Sequence, residues 1–451
     1  MNQRIVAYLV LLPLALVSVH PEMSAQSQRQ QRHRVPADYM SFRGAEWLER
    51  DERVVEERPE QVLDAMGLEA GDIVADIGCG SGYYTRRIVP RVQPGGRVYC
   101  QDIQPEMLEI MEARALGADV SASGVVPVLG TSTDTRLPDG VVDWIIMADV
   151  YHEMSEPEAM LASMRRVLAP GGRVALLEYR VEDGTGDRIK ADHAMSVRQV
   201  LAEWRDAGFE LVALHEFLPS QHLFFFRVAG RQPVDDVLVD YDLFAAVDDG
   251  LVEVQASGAG ETEVTLRVRR RQAHDMVITA PVATYFSAGR DMRDMIARRD
   301  TWVVLTDDEW QERSVRALGR HRGRDAPAPE DRLDVLPPET APTLDRLMQA
   351  IQFGTYTVAS SPTLYPPRTV GMEQSAIWLA DGDADYRTIA ETLDDTPIPR
   401  QYAIAFALVF CDLAGVDVSA RRIWQDREEV FGNLRDQGLN VWYQLKQAAV
   451  R

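Results

Sequence analysis

The stretch Val74-Ala75-Asp76-Ile77-Gly78-Cys79-Gly80-Ser81-Gly82-Tyr83-Tyr84-Thr85 decides how the first half of this chain reads. It begins as a short apolar strand, meets an acid near the strand end and turns on three alternate glycines. From Tyr83 to Val89 it continues in a helical pattern. Glycines at such a turn let the backbone approach a bound ligand, because no Cβ stands in the way. A carboxylate at the turn favours a cationic or hydroxyl-rich ligand and repels a pyrophosphate. The dinucleotide fingerprint needs a glycine three positions after Gly80, where Tyr83 stands; the third glycine is Gly82 instead.

Working outward, Arg97 to Gln101 reads as a second strand that ends at Asp102, and Pro105 opens a helix. Val125–Leu129 and Val142–Ala148 read as the third and fourth strands. A helix from Pro157 to Leu168 ends at Pro170-Gly171-Gly172, and Arg173–Glu178 reads as the fifth strand. Val197–Ala207 is a helix closed by Gly208, and Phe209–His215 with His222–Val228 forms a final hairpin. Strands alternating with helices imply a parallel sheet with right-handed crossovers. Upstream, Trp47, Leu48, Val54 and Val55 recur at helical spacing, and Pro59 suits the first turn of a further helix.

Over residues 37–230 these motifs resemble, in order, those of the class I S-adenosylmethionine-dependent methyltransferases. The resemblance implies an α/β fold: a doubly wound, mostly parallel, seven-stranded Rossmann-like sheet. It implies S-adenosylmethionine as cofactor, with Asp76, Gly78, Gly80 and Gly82 forming the first motif and Asp76 lying near the methionine ammonium. Asp102 matches the acid that accepts both ribose hydroxyls, and Ile103 and Met107 would flank the adenine. Thr133 or Asp134 would meet the adenine amino group; the family more often has its acid where Thr133 stands. Asp149 closes the fourth-strand motif and is grouped with the cofactor-binding residues.

The acceptor side is read from position. In open parallel sheets ligands bind beyond the carboxyl ends of the strands, where Asp149-Val150-Tyr151-His152-Glu153 follows the fourth strand. His152 is a candidate general base near neutral pH, with Tyr151 and Glu178 as further catalytic candidates and Tyr179 facing the same cleft. The plain alternative for His152 is a helix cap or a hydrogen-bonded core residue. Val181–Ser196, which carries Lys190 and His193, is long enough for a lid. Trp47 and Arg50 read either as a cover on the cofactor or as helix packing. No metal site is expected.

Composition narrows the partners. With 451 residues the chain exceeds one ordinary core. Its 70 acids against 48 bases leave a net charge of −22, which argues against nucleic acid and leaves a small-molecule acceptor. Arg4, the apolar run Ile5–Val19 and the small residues near Ala25 read as a signal peptide over 1–25. Export to the periplasm or exterior is therefore expected, with no stable membrane anchor, since the run is shorter than the roughly 20 residues that span a bilayer. Residues 26–36 read as a disordered lead-in. Cys79, Cys100 and Cys411 show no disulfide framework and no metal spacing, and the first two read as small buried fillers.

After Gly230 the pattern changes. Short β-branched strands at 251–254, 263–268, 276–280 and 301–305 suggest a small antiparallel, sandwich-like β-domain over 235–318. A linker rich in Arg, Pro and Asp spans 319–342, and a helical region spans 343–451, including an all-round apolar helix at Ala403–Leu413 and a long one from Ile423 to Gln447. The expected role of this half is protein or substrate binding. The whole reads as a methyltransferase with an appended module; the alternative is an exported binding protein that keeps the fold without turnover.

Overall fold

The computed structural model describes residues 36–117, 124–185, 189–230, 237–289, 292–338, 342–353, 369–393 and 398–450. The signal-peptide segment 1–25 and nearly all of the lead-in lie outside them. The N-terminal half is built on eight strands: β1 (Ile73–Ile77), β2 (Arg97–Asp102), β3 (Val125–Leu129), β4 (Val142–Ala148), β5 (Leu168–Arg180), β6 (Ala194–Met195), β7 (Phe209–His215) and β8 (Gln221–Val228). Seven run in the order β3-β2-β1-β4-β5-β8-β7, and β6 adds a two-residue parallel pairing to β5. Pairs β1–β2, β2–β3, β1–β4 and β4–β5 are parallel, whereas β8 is antiparallel to both β5 and β7.

Central strands of such a sheet are apolar on both faces because helices cover both. Here Val74, Ile146 and Leu177 pack with Val62, Leu63 and Ile88 on one face. Ala75, Ile145 and Leu176 pack with Met160, Leu201 and Trp204 on the other. The order reverses between β1 and β4, which opens a crevice at the carboxyl ends of the strands. The glycine turn, the end of β2 and the segment after β4 all meet there.

The second half holds β9 (Val239–Asp242), β10 (Val252–Gly258), β11 (Glu263–Arg270), β12 (Met276–Ala280), β13 (Tyr285–Ser287), β14 (Met295–Ala297), β15 (Thr301–Leu305), β16 (Gln311–Gly319) and β17 (Arg332–Leu336). The expected sandwich is instead a closed barrel, β10-β11-β16-β14-β13-β17, beside a three-stranded sheet β15-β12-β9. The difference rests on β17, which lies in the stretch that reads as linker. It pairs with β10 through Ala256–Leu333 and with β13 through Tyr285–Leu336. Joining those two strands leaves the barrel without a free edge.

Helices Pro342–Phe353, Val370–Asp381 and Arg400–Leu413 form the last core with Ile296 and Leu318 of the barrel. The apolar helix is central, as its pattern requires: Ala403 through Cys411 are all buried. The long helix expected over 423–447 is broken. A 3-10 turn at Arg422–Asp426 and a short helix Arg427–Phe431 end at Gly432, and a new helix runs Gln437–Val450. No helix among the described residues is long and apolar enough to cross a membrane.

Candidate active site at the strand ends

The glycine turn is held open by its own chemistry. Gly78 and Gly80 have φ of 69° and 52°, a region L side chains rarely enter. A Cβ on Gly78 would lie 2.5 Å from Val150 Cγ1, so no larger residue fits there without displacing the segment after β4. Below the turn, Asp76 accepts a 2.6 Å bond from Thr85 Oγ1. Burial pushes the Asp76 carboxyl up to about 6, against the lowering effect of Thr85.

Asp102 caps β2 and braces the turn. Its Oδ2 accepts from the Gly80 amide at 3.0 Å and its Oδ1 from the Gln104 amide at 2.8 Å. Burial raises its pKa, opposed by these amides. The adjacent Ile103 is 41 % exposed, an apolar side chain left beside the carboxylate. Met107, the other expected adenine neighbour, is buried core. Thr133 is exposed, with its hydroxyl 3.3 Å from Thr131 Oγ1. Asp134 turns to the protein instead: its Oδ1 accepts from the Arg136 amide, Ser163 Oγ and Arg166. Those bonds, the Arg136 amide foremost, hold its carboxyl below the usual range.

Sequence reading missed that the turn is covalently tied to β2. Cys79 and Cys100 form a disulfide across 21 residues. They are not independent fillers. The register sets Asp76 beside Cys100, and the turn folds Cys79 back over the same strand. Closing a loop of that length stabilises a fold by about 3 kcal/mol, mainly by restricting the unfolded chain. Denaturant unfolding with and without reductant should therefore differ by roughly that amount, and an unchanged midpoint would show that the bond contributes nothing.

Beyond β4, Asp149 adopts φ 57°, uncommon for a residue with a Cβ and a form of strain that clusters at functional sites. Both its oxygens accept from Gln221 Nε2 at 2.8 Å. Burial, with Glu57 and Glu178 nearby, pushes its carboxyl well up. The turn at Asp149 sends Tyr151 inward. Its hydroxyl donates to Glu203 Oε2 at 2.7 Å and its ring packs edge-on against Trp204. Tyr151 is thus a core residue and is withdrawn from the catalytic candidates.

His152 and Glu178 do come together. His152 Nδ1 lies 2.6 Å from Glu178 Oε2, and the His152 amide donates to Glu178 Oε1 at 3.2 Å. Burial alone would lower the imidazole pKa, but the Glu178 carboxylate outweighs it and raises it to about 8. Parallel pairing of β6 with β5 sets Ala194 beside Tyr179, which carries the preceding His193 to within a 5.0 Å ring separation of His152. Lys190 precedes the short turn Ala191–His193. Part of the expected lid, 186–188, lies outside the described residues.

An N-terminal strap crosses the crevice. The Ala37 amide donates to His152 O, the Met40 amide to Glu153 Oε1 and the Phe42 amide to Gln104 Oε1. Leu48 then lies against the turn, 3.0 Å from where a Gly80 Cβ would stand. Trp47 stays 52 % exposed with the Arg50 guanidinium 3.6 Å from its ring centre, so these two pair with each other at the surface.

The residues suit S-adenosylmethionine: a carboxylate at the end of β2 bonded to the glycine turn, an exposed apolar neighbour in Ile103, and glycines at positive φ where the turn faces the crevice. Residues 75–176 match a methyltransferase domain family model. The ubiquinone/menaquinone biosynthesis C-methyltransferase UbiE of Pseudomonas fluorescens (strain Pf0-1) is 35% identical over 118 residues, 26% of this chain and 45% of that protein. The UbiE of Chromobacterium violaceum is also 35% identical over 118 residues, covering 26% of this chain and 47% of its own. The chain thus spans less than half the length of these relatives. A solved S-adenosylmethionine-dependent methyltransferase from Aquifex aeolicus shares 26% identity, with 42% of this chain and 100% of that chain covered at a TM-score of 0.40. Its sheet order, its glycine turn and the matched segment support a class I S-adenosylmethionine-dependent methyltransferase domain in the N-terminal half of this chain.

Proposed function

We propose that the protein transfers a methyl group from S-adenosylmethionine to a small-molecule acceptor held over the ends of β4 and β5. The observation that carries this reading is the Asp102 carboxylate, bonded to the glycine turn and flanked by exposed Ile103. The cofactor supplies a methyl group already activated on a sulfonium, so the chain's task is alignment and proton removal. Asp102 accepts the ribose hydroxyls, which an ionised carboxylate does well, and Ile103 lies against the adenine. Thr133 is the better placed of its pair for the adenine amino group, since Asp134 is engaged elsewhere. Asp76 sets negative charge on the side of the methionine ammonium, and Asp149, its carboxyl pushed up by burial, lines the same end.

In its neutral form, which dominates above about pH 8, His152 takes the acceptor's proton at Nε2. Its Nδ1 hydrogen points to Glu178, which fixes the tautomer and stabilises the imidazolium once formed. The strap over residues 37–49 limits water access. The chain is exported in this reading, supported by the Cys79–Cys100 disulfide, because such bonds persist in oxidising compartments.

The test is calorimetric titration of the purified chain with S-adenosylmethionine, S-adenosylhomocysteine and NAD. The first two should bind and NAD should not; no binding of either adenosyl ligand overturns the reading. In an acceptor screen, His152→Asn and Glu178→Gln should each lower turnover by roughly 10²–10⁴-fold, the usual worth of general base catalysis. Turnover within a factor of two of wild type in both variants would remove the base from His152.

A further inference from the structure

We infer that His152, Glu153 and His193 form a site for a divalent transition-metal ion at the acceptor end of the crevice. Each offers one donor atom, and the three donors lie within 4.8 Å of one another. Two imidazoles and one carboxylate are a ligand set used by zinc in hydrolytic sites and by non-haem iron. Three such ligands leave a coordination position open for a substrate atom or water.

A second observation points the same way. A metal-binding histidine generally donates its other ring nitrogen to a carboxylate, which fixes the tautomer and the ring plane. Both rings meet this condition independently: His152 Nδ1 lies 2.6 Å from Glu178 Oε2, and His193 Nδ1 lies 2.7 Å from Asp192 Oδ1. Nε2 of each ring is then the nitrogen available to an ion. The third ligand is held as well, since Glu153 Oε1 accepts from the Met40 amide of the strap. A tetrahedral ion with bonds of about 2.1 Å places its donors about 3.4 Å apart, so side-chain rotations of roughly an ångström close the site around it. Parts of the chain far apart in sequence converge here, on the strap, the turn after β4 and the segment before β6.

The ion takes the ring nitrogen assigned above to proton removal, so metal-loaded and metal-free forms are distinct states of one site. The metal site itself stands on its own geometry; only its link to the acceptor rests on the methyl-transfer reading.

The experiment is titration of the chelator-treated, untagged full chain with zinc chloride by calorimetry, with S-adenosylmethionine binding measured on the same samples. Wild type should take up one zinc per chain. His193→Ala should lose that equivalent, and Asp192→Asn, which keeps all three ligands, should weaken it by 10–100-fold. S-adenosylmethionine binding should persist in both and reports that they are folded. No stoichiometric zinc uptake in wild type, or equal affinity in wild type and both variants, overturns the metal site. Zinc uptake without S-adenosylmethionine binding would leave the metal site standing and defeat the methyl-transfer reading alone.

Discussion

Asp102→Asn should weaken S-adenosylmethionine binding by at least 10²-fold while the chain still folds. The carboxylate meets the Gly80 amide with one oxygen and the Gln104 amide with the other, so both oxygens already face donors and both can accept ribose hydroxyls. Asparagine keeps one accepting oxygen and sets an NH₂ where the second acceptor stood, turning one favourable contact into donor against donor. Hydrogen bonds to a charged group contribute about 1.5–3 kcal/mol each. Losing one such bond outright and the charge from the other amounts to roughly 3–4 kcal/mol, or two to three decades in Kd at about 1.4 kcal/mol per decade. Asparagine can still accept from the Gly80 amide, so the turn keeps its brace, but its NH₂ then faces the Gln104 amide, and stability should fall by about 1–3 kcal/mol without loss of the fold. Calorimetric Kd values for S-adenosylmethionine and S-adenosylhomocysteine decide the matter. An affinity within threefold of wild type would remove Asp102 from the ribose and leave its role as a turn brace alone.

How much of this was legible in the sequence follows from how local each signal is. The parallel strands are runs of buried apolar residues broken by glycine and proline, and such runs read directly. The glycine spacing and the acids Asp76 and Asp102 are equally local. The disulfide is not: Cys79 and Cys100 meet only because β1 and β2 pair in one particular register. Tyr151 lies one residue from His152 yet points the other way, a consequence of the left-handed turn at Asp149 that residue types alone do not disclose. His193 reaches His152 through a pairing of two residues between β6 and β5, too short to leave a pattern. In the second half, β17 sends Leu333 and Val335 into the barrel core from within a stretch of Arg, Pro and Asp, so it reads as linker although it closes the barrel.

The same half holds a fully buried ion-pair cluster, and Glu373→Gln should cost about 3–5 kcal/mol of stability. Glu373 lies in the helix Val370–Asp381, fully buried between two buried arginines from the barrel. Its Oε2 is 2.6 Å from Arg298 Nε and its Oε1 is 2.6 Å from Arg299. Burial would raise the carboxyl, but the two guanidiniums overcome that and hold it down at about 2. Glutamine preserves the shape and removes the charge, so both buried guanidiniums lose their ion pair with Glu373, which is far worse than removing the whole cluster. The pH dependence has a definite sign. A carboxyl whose folded pKa lies below its unfolded value of about 4.5 contributes its stability fully above that value and loses it as pH falls towards 2. The gap between wild type and Glu373→Gln should therefore stay level from pH 8 to about 5 and close steadily below about pH 4. Urea unfolding read by tryptophan fluorescence reports it, since Trp378 lies on the same helix. A gap that is small at neutral pH, or one that widens on acidification, would mean that the arginines find other partners and that the helix is held to the barrel by its apolar face alone.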